Sequence, residues 1–115
     1  MRSYFIEELY PEQLAMLRRA LDARGLSGGL EGIYYLPLPE ELLTDVQRAH
    51  AGECGPHILA LEAVELVDEG ALKLELLVRA RGKLRCECVA YATPEQRAWA
   101  IAWLDDFIRQ LDISV

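Results

Sequence analysis

Apolar and polar side chains alternate along residues 72–80. Leu72, Leu74, Leu76, Val78 and Ala80 interleave with Lys73, Glu75, Leu77 and Arg79. The alternation resumes with Leu84, Cys86, Cys88 and Ala90, set against Arg85, Glu87, Val89 and Tyr91. Period two is the pattern of a half-buried strand. Arg81-Gly82-Lys83 between the two runs predicts a short hairpin loop. In that register Arg79 faces Arg85, Val78 faces Cys86 and Leu76 faces Cys88, so the apolar even positions share one side. The preceding strand, His57 to Val67, carries Leu59, Leu61, Ala63 and Val67 on one side and Ile58, Ala60, Val64 and Leu66 on the other. A strand apolar on both sides is expected to be covered on both.

Helical spacing replaces alternation elsewhere. Pro11 and Glu12 suit a first helical turn, Leu14, Leu17 and Leu21 recur along one face, and Arg24-Gly25 suits an end. Residues 39–51 predict a second helix with Leu43, Val46 and His50 on one face. Thr93, Pro94 and Gln96 predict the start of a last helix, with a cap, a proline in the first turn and a capping-box partner. Its stripe is Ala100, Ile101, Leu104, Phe107, Ile108 and Leu111, and Trp99 and Trp103 project beside it. Short strands are expected near residues 2–9 and 33–36. Gly25 to Gly32 is too short to separate two domains. The order β-α-β-α-β-β-β-α predicts one α+β domain over residues 1–115. It has two layers, a mixed or antiparallel sheet, a C-terminal meander and a final helix.

Charge narrows the classes of partner. Nineteen acidic residues against twelve basic ones give a net charge of −7. That field repels phosphate backbones and anionic lipids, so neither nucleic acid nor a membrane is expected as a partner. The N-terminus is too short and too acidic for a signal peptide. With three cysteines, the chain is expected to be a soluble cytoplasmic protein with reduced thiols. Arginine far outnumbers lysine, as in GC-rich bacterial genomes.

Familiar catalytic motifs are missing: no G-x-G-x-x-G, phosphate loop, H-E-x-x-H, G-x-S-x-G or C-x-x-C occurs. Both histidines of the chain lie in the segment HAGECGPH, together with Glu53 and Cys54. His50, Glu53, Cys54 and His57 are all metal-ligand types, and glycines let the segment turn sharply. Zinc or another transition metal is therefore the alternative cofactor, with Cys86 as a further ligand. Against it, Cys86 on its predicted strand lies about 9.6 Å from the strand of His57, and the histidines are expected not to converge with Cys54. A thiol reading makes Cys54 a nucleophile, with His57 as base and Glu53 or Glu62 to orient it. Cys86 and Cys88 are expected to be small core residues opposite Val78 and Leu76. The leading expectation is a non-catalytic domain without a cofactor that acts through protein contacts. Leu77, Val89, Tyr91, Trp99 and Trp103 are the candidate interface of a homodimer. A partner other than a second copy cannot be named from these residues.

Overall fold

Leu59, Leu61, Leu72 and Leu74 lie on one side of an antiparallel sheet and are fully buried there. The computed structural model describes residues 1–114. Along the chain come β1 (Ser3–Leu9), α1 (Pro11–Ala23), β2 (Ile33–Pro37), a 3₁₀ turn (Glu40–Leu42) and α2 (Asp45–Cys54). Then follow β3 (His57–Glu65), β4 (Gly70–Glu75), β5 (Leu77–Ala80), β6 (Ala90–Tyr91) and α3 (Pro94–Gln110). The fold is α+β, and all strand pairs among the described residues are antiparallel.

β3 is the centre. One edge pairs with β2, and the other pairs first with β4 and then with β5. β4 and β5 are one long strand interrupted at Leu76. β1 lines the outer edge of β4, and β6 lines that of β5. The register shift at the interruption is even, so Leu74, Leu76 and Val78 stay on one side.

All three helices lie on that side. Leu14, Leu17 and Leu21 of α1 join Ala100, Leu104, Phe107 and Ile108 of α3 over the strand leucines. Tyr4 of β1 donates its hydroxyl to Asp105 of α3 at 2.8 Å. α2 crosses the end of β3 and builds a second, smaller cluster from Cys54, Ala80 and Cys88. The odd positions of β3 therefore face the core. The even positions face away, where no helix among the described residues covers them, so the second cover expected for this strand does not come from the helices of the same chain. Ile58 is nonetheless 2% exposed, screened by side chains of its own sheet. On the uncovered side Phe5 is 49% and Tyr91 42% exposed.

The predicted meander hairpin is also corrected. Val78 pairs with Ala90 and Leu77 with Tyr91, not Val78 with Cys86. Pairing is displaced by an even number of residues, which leaves Ala90 and Tyr91, the residues that still pair, on their expected sides. Alternation is blind to such a slip. Residues 81–89 become a loop instead of a tight turn plus a strand. Helix α2 starts and ends later than spacing suggested. Thr44 supplies the cap, accepting from the Gln47 N–H at 3.2 Å while the Gln47 side chain accepts from the Thr44 N–H at 3.0 Å.

Candidate metal centre

The later end of α2 decides the site. With the helix running through Cys54, His50 and Cys54 stand four residues apart on one face. The helix ends at Gly55, whose backbone is extended ahead of Pro56 and where a Cβ would run into the Ala51 carbonyl. The 81–89 loop docks against this end. Gly82 donates its N–H to the Cys54 carbonyl at 2.7 Å. A Cβ on Gly82 would stand 2.9 Å from that oxygen, so only glycine permits the approach. A turn closed by Val89 N–H to the Cys86 carbonyl, at 3.0 Å, then aims the loop sulfurs inward.

Four ligand-type side chains meet there: His50, Cys54, Cys86 and Cys88, with their ligand atoms within 4.8 Å of one another. Cys54 Sγ lies 3.6 Å from Cys86 Sγ and 3.8 Å from His50 Nδ1. His50 Nδ1 lies 3.0 Å from Cys86 Sγ. Tetrahedral zinc with Zn–S near 2.3 Å and Zn–N near 2.0–2.1 Å spaces its sulfurs about 3.8 Å apart and sulfur from nitrogen about 3.5 Å. The distances from Cys54 Sγ lie within about 0.3 Å of those spacings, the His50–Cys86 distance is about 0.5 Å short, and Cys88 Sγ lies within 4.8 Å of the other ligand atoms. Two of the sulfurs, on Cys54 and Cys88, are 1% exposed.

The surroundings support the ligand atoms. His50 turns its other nitrogen, Nε2, toward Glu87 at 3.4 Å. This is the carboxylate–histidine arrangement that fixes the tautomer of a metal-binding imidazole. The Cys88 N–H donates to Cys86 Sγ at 3.5 Å, and the Cys88 carbonyl accepts from the buried Gln47 side chain at 3.3 Å. The Cys88 amide and thiol bring the Cys86 thiol down to about 7. Burial pushes Cys54 up and Cys88 up to about 12. In the metal-free cluster the negative charge therefore settles on Cys86, and a dication would draw the protons from the other two.

The sequence-predicted set is thus partly assembled. His50 converges with Cys54 and Cys86, against the expectation for that histidine, while His57 does not join them. The objection from strand spacing fails because Cys86 sits on a loop. Glu53 points to solvent, with Lys83 at 4.0 Å, and is not among the four. Nor is His57. Its ring is buried at the start of β3 with neither nitrogen hydrogen-bonded. Burial, and then nearby His50, lower its pKa, so it stays neutral. The nucleophile arrangement does not form either: the sulfur nearest Cys54 is that of Cys86, and Cys54 has no lowered pKa. Cys88 is the ligand-type residue that the pattern concealed. The one signal for it was the Cys-x-Cys spacing on a segment rich in turn-compatible residues.

No protein-family model matches the chain, and no curated protein or solved structure is similar to it.

Proposed function

We propose that this chain is a zinc-binding domain in which a Cys₃His site fastens the 81–89 loop to the end of α2. The observation that carries it is the meeting of His50, Cys54, Cys86 and Cys88 within 4.8 Å, from two segments more than thirty residues apart. Three thiolates and one imidazole are a zinc set of structural type, with all four positions filled by protein. The site's role is then to order a loop, not to activate water. Zinc content of protein purified without chelator tests this. One equivalent is expected, and Cys54→Ser, Cys86→Ser and Cys88→Ser should each lose most of it. His57→Leu and Glu53→Gln should keep it, and His57→Leu should gain about 1 kcal/mol of stability by removing a buried, unpaired imidazole. Absence of metal from the unaltered protein, or equal loss in the His57 and Cys88 variants, would reject the reading.

The uncovered sheet face favours a second role in self-association. Leu77 and Tyr91 are cross-strand partners on that face and Phe5 lies farther along it, opposite Lys73, while Val89 packs against the Cys54, Ala80 and Cys88 cluster. Trp99 and Trp103 pack against the core in the helix layer, Trp103 stacked on Phe107 with ring centres 5.2 Å apart. The face available to a second copy therefore centres on Leu77 and Tyr91.

A further inference from the structure

The uncovered face also holds a cavity of about 290 Å³, between the end of β5 and the middle of β2. Gly28, Tyr35, Ile58, Arg79, Arg81 and Leu84 line it. Gly28 has a reason to be glycine: a Cβ would stand 2.8 Å from the Tyr35 ring. That contact seats the ring against the backbone. The Arg81 guanidinium lies over the ring, 4.7 Å from its centre. Among the described residues Arg81 is paired with no carboxylate. Arg79 beside it gives its Nε to Glu75 at 2.9 Å, which leaves the far end of the guanidinium uncommitted. Leu84 is 84% exposed, an apolar side chain held at the rim with nothing to pack on. No acidic side chain lines the cavity, in a protein whose net charge is −7.

We propose that this cavity binds a small organic anion: a single carboxylate or phosphate on a body of about one ring. Arg81 is its principal cation, with Arg79 behind it, and Leu84 and Ile58 meet the apolar part. The chemistry follows from the lining. A stacked guanidinium is pre-oriented and presents its donor edge to an oxyanion, which it can grip with two parallel N–H···O bonds. The exposed leucine and the buried isoleucine select an apolar body over a bare ion. Ligand cavities usually run from about 300 to 1,000 Å³, so this one, at about 290 Å³, suits a ligand part of about one ring. The larger cavity of about 430 Å³ between α1 and the β3–β4 turn is a poorer match. There Arg18 is already bridged to Glu65 and Glu31, and Asp22 and Glu69 add negative charge to the lining. The proposal stands apart from the zinc reading, except that Leu84 belongs to the loop that zinc would hold.

Titration of ¹⁵N-labelled protein with phenyl phosphate, benzoate, inorganic phosphate and benzyl alcohol tests it, with zinc content measured on each sample. Saturable shifts centred on Gly28, Tyr35, Ile58 and Arg81 are expected for phenyl phosphate or benzoate. Whichever binds more tightly identifies the oxyanion. Single-ring ligands of this size justify a Kd of about 1–10 mM. Inorganic phosphate and benzyl alcohol should each bind at least about tenfold more weakly, one lacking the ring and the other the charge. Arg81→Ala should weaken binding by a similar factor, with Arg81→Lys between. Leu84→Glu, at a side chain the fold does not use, should abolish binding without altering the remaining spectrum. Equal shifts with benzyl alcohol, shifts unchanged in Arg81→Ala or Leu84→Glu, or none at 20 mM (about twice the upper Kd) would overturn the site. Failure in zinc-loaded protein rejects the cavity and leaves the metal reading standing; binding in protein that never takes up zinc does the reverse.

Discussion

At the scale of the residue, the three thiols are chemically unequal although they meet at one point. Cys86 is brought down to about 7 by the Cys88 amide and thiol, while burial takes Cys88 up to about 12 and raises Cys54. A thiol whose folded pKa is depressed is a thiolate above that pKa, and a thiol whose pKa is raised stays protonated through neutral pH. Metal-free protein treated with iodoacetamide should therefore be alkylated first at Cys86, with half-maximal rate near pH 7. Cys54 and Cys88 should stay unmodified until the fold opens. Peptide mapping after short exposures checks this, and a first modification at Cys54 would mean the cluster is arranged differently. The same asymmetry sets the sign of metal affinity with pH. Binding must expel the protons of Cys54 and Cys88 at neutral pH and of Cys86 as well below about 7, so affinity rises with pH.

At the scale of the element, two helix starts are fused into one polar network. Gln47 and Gln96 each complete a capping box, at Thr44 and Thr93 respectively. Each is also almost completely buried. Gln96 donates to the Gln47 side chain at 2.9 Å and to the Leu42 carbonyl at 2.8 Å. Gln47 donates onward to Cys88. A helix cap thus becomes a tether between α2, α3 and the 81–89 loop. Gln96→Ala removes the capping-box acceptor and leaves both Gln47 Oε1 and the Leu42 carbonyl short of a donor, so it should cost about 2–3 kcal/mol in urea unfolding. Glu95→Ala, next to it in the same first turn but exposed, should cost less than about 0.5 kcal/mol. Similar losses from the two would mean that the network contributes only as an ordinary cap.

At the scale of the whole molecule, the main core and the small cluster are separate. The helix and strand leucines close one core, while Cys54, Ala80 and Cys88 form their own. Removal of metal should therefore loosen residues 81–89 without dissolving the sheet. Saturating EDTA is expected to leave far-UV circular dichroism nearly unchanged while amides 82–88 lose protection from exchange. A ligand present at about a thousand times its Kd stabilises the native state by about 4 kcal/mol, and each kcal/mol moves Tm by roughly 4 °C in a small domain. Zinc removal should then lower Tm by about 15 °C. An unchanged Tm would deny the site any stabilising role. The bare sheet face belongs to this scale too. Phe5 and Tyr91 there are each more than 40% exposed, and a second copy is the simplest cover for such a face. Light scattering at micromolar concentration should give about twice 13.0 kDa, and Leu77→Glu should return the protein to monomer size. A monomer mass for the unaltered chain rejects the dimer.

Much of the layout is local and was legible in the sequence. Alternation along 72–80 required a strand, the leucines of 14–21 required an amphipathic helix, and Thr93-Pro94 with Gln96 marked the start of α3. These patterns depend only on neighbours within a turn or a pleat. The acidic balance and the grouping of His50 with Cys54 were legible in the same way. The partners of these elements were not. A strand that slips by an even number of residues keeps its apolar face, so alternation could not separate Cys86 on a strand from Cys86 on a loop. Only the sum of long-range contacts chose between them: the Gly82 N–H on the Cys54 carbonyl and the Gln47 amide on Cys88. That choice turned two apparent core thiols into half of a four-residue cluster. It also set His57, the last residue of the promising segment, on a strand outside the cluster. Covalent sequence fixes which side chains lie within a few residues of each other. Convergence across more than thirty residues is settled by where the backbone hydrogen bonds of distant segments are satisfied.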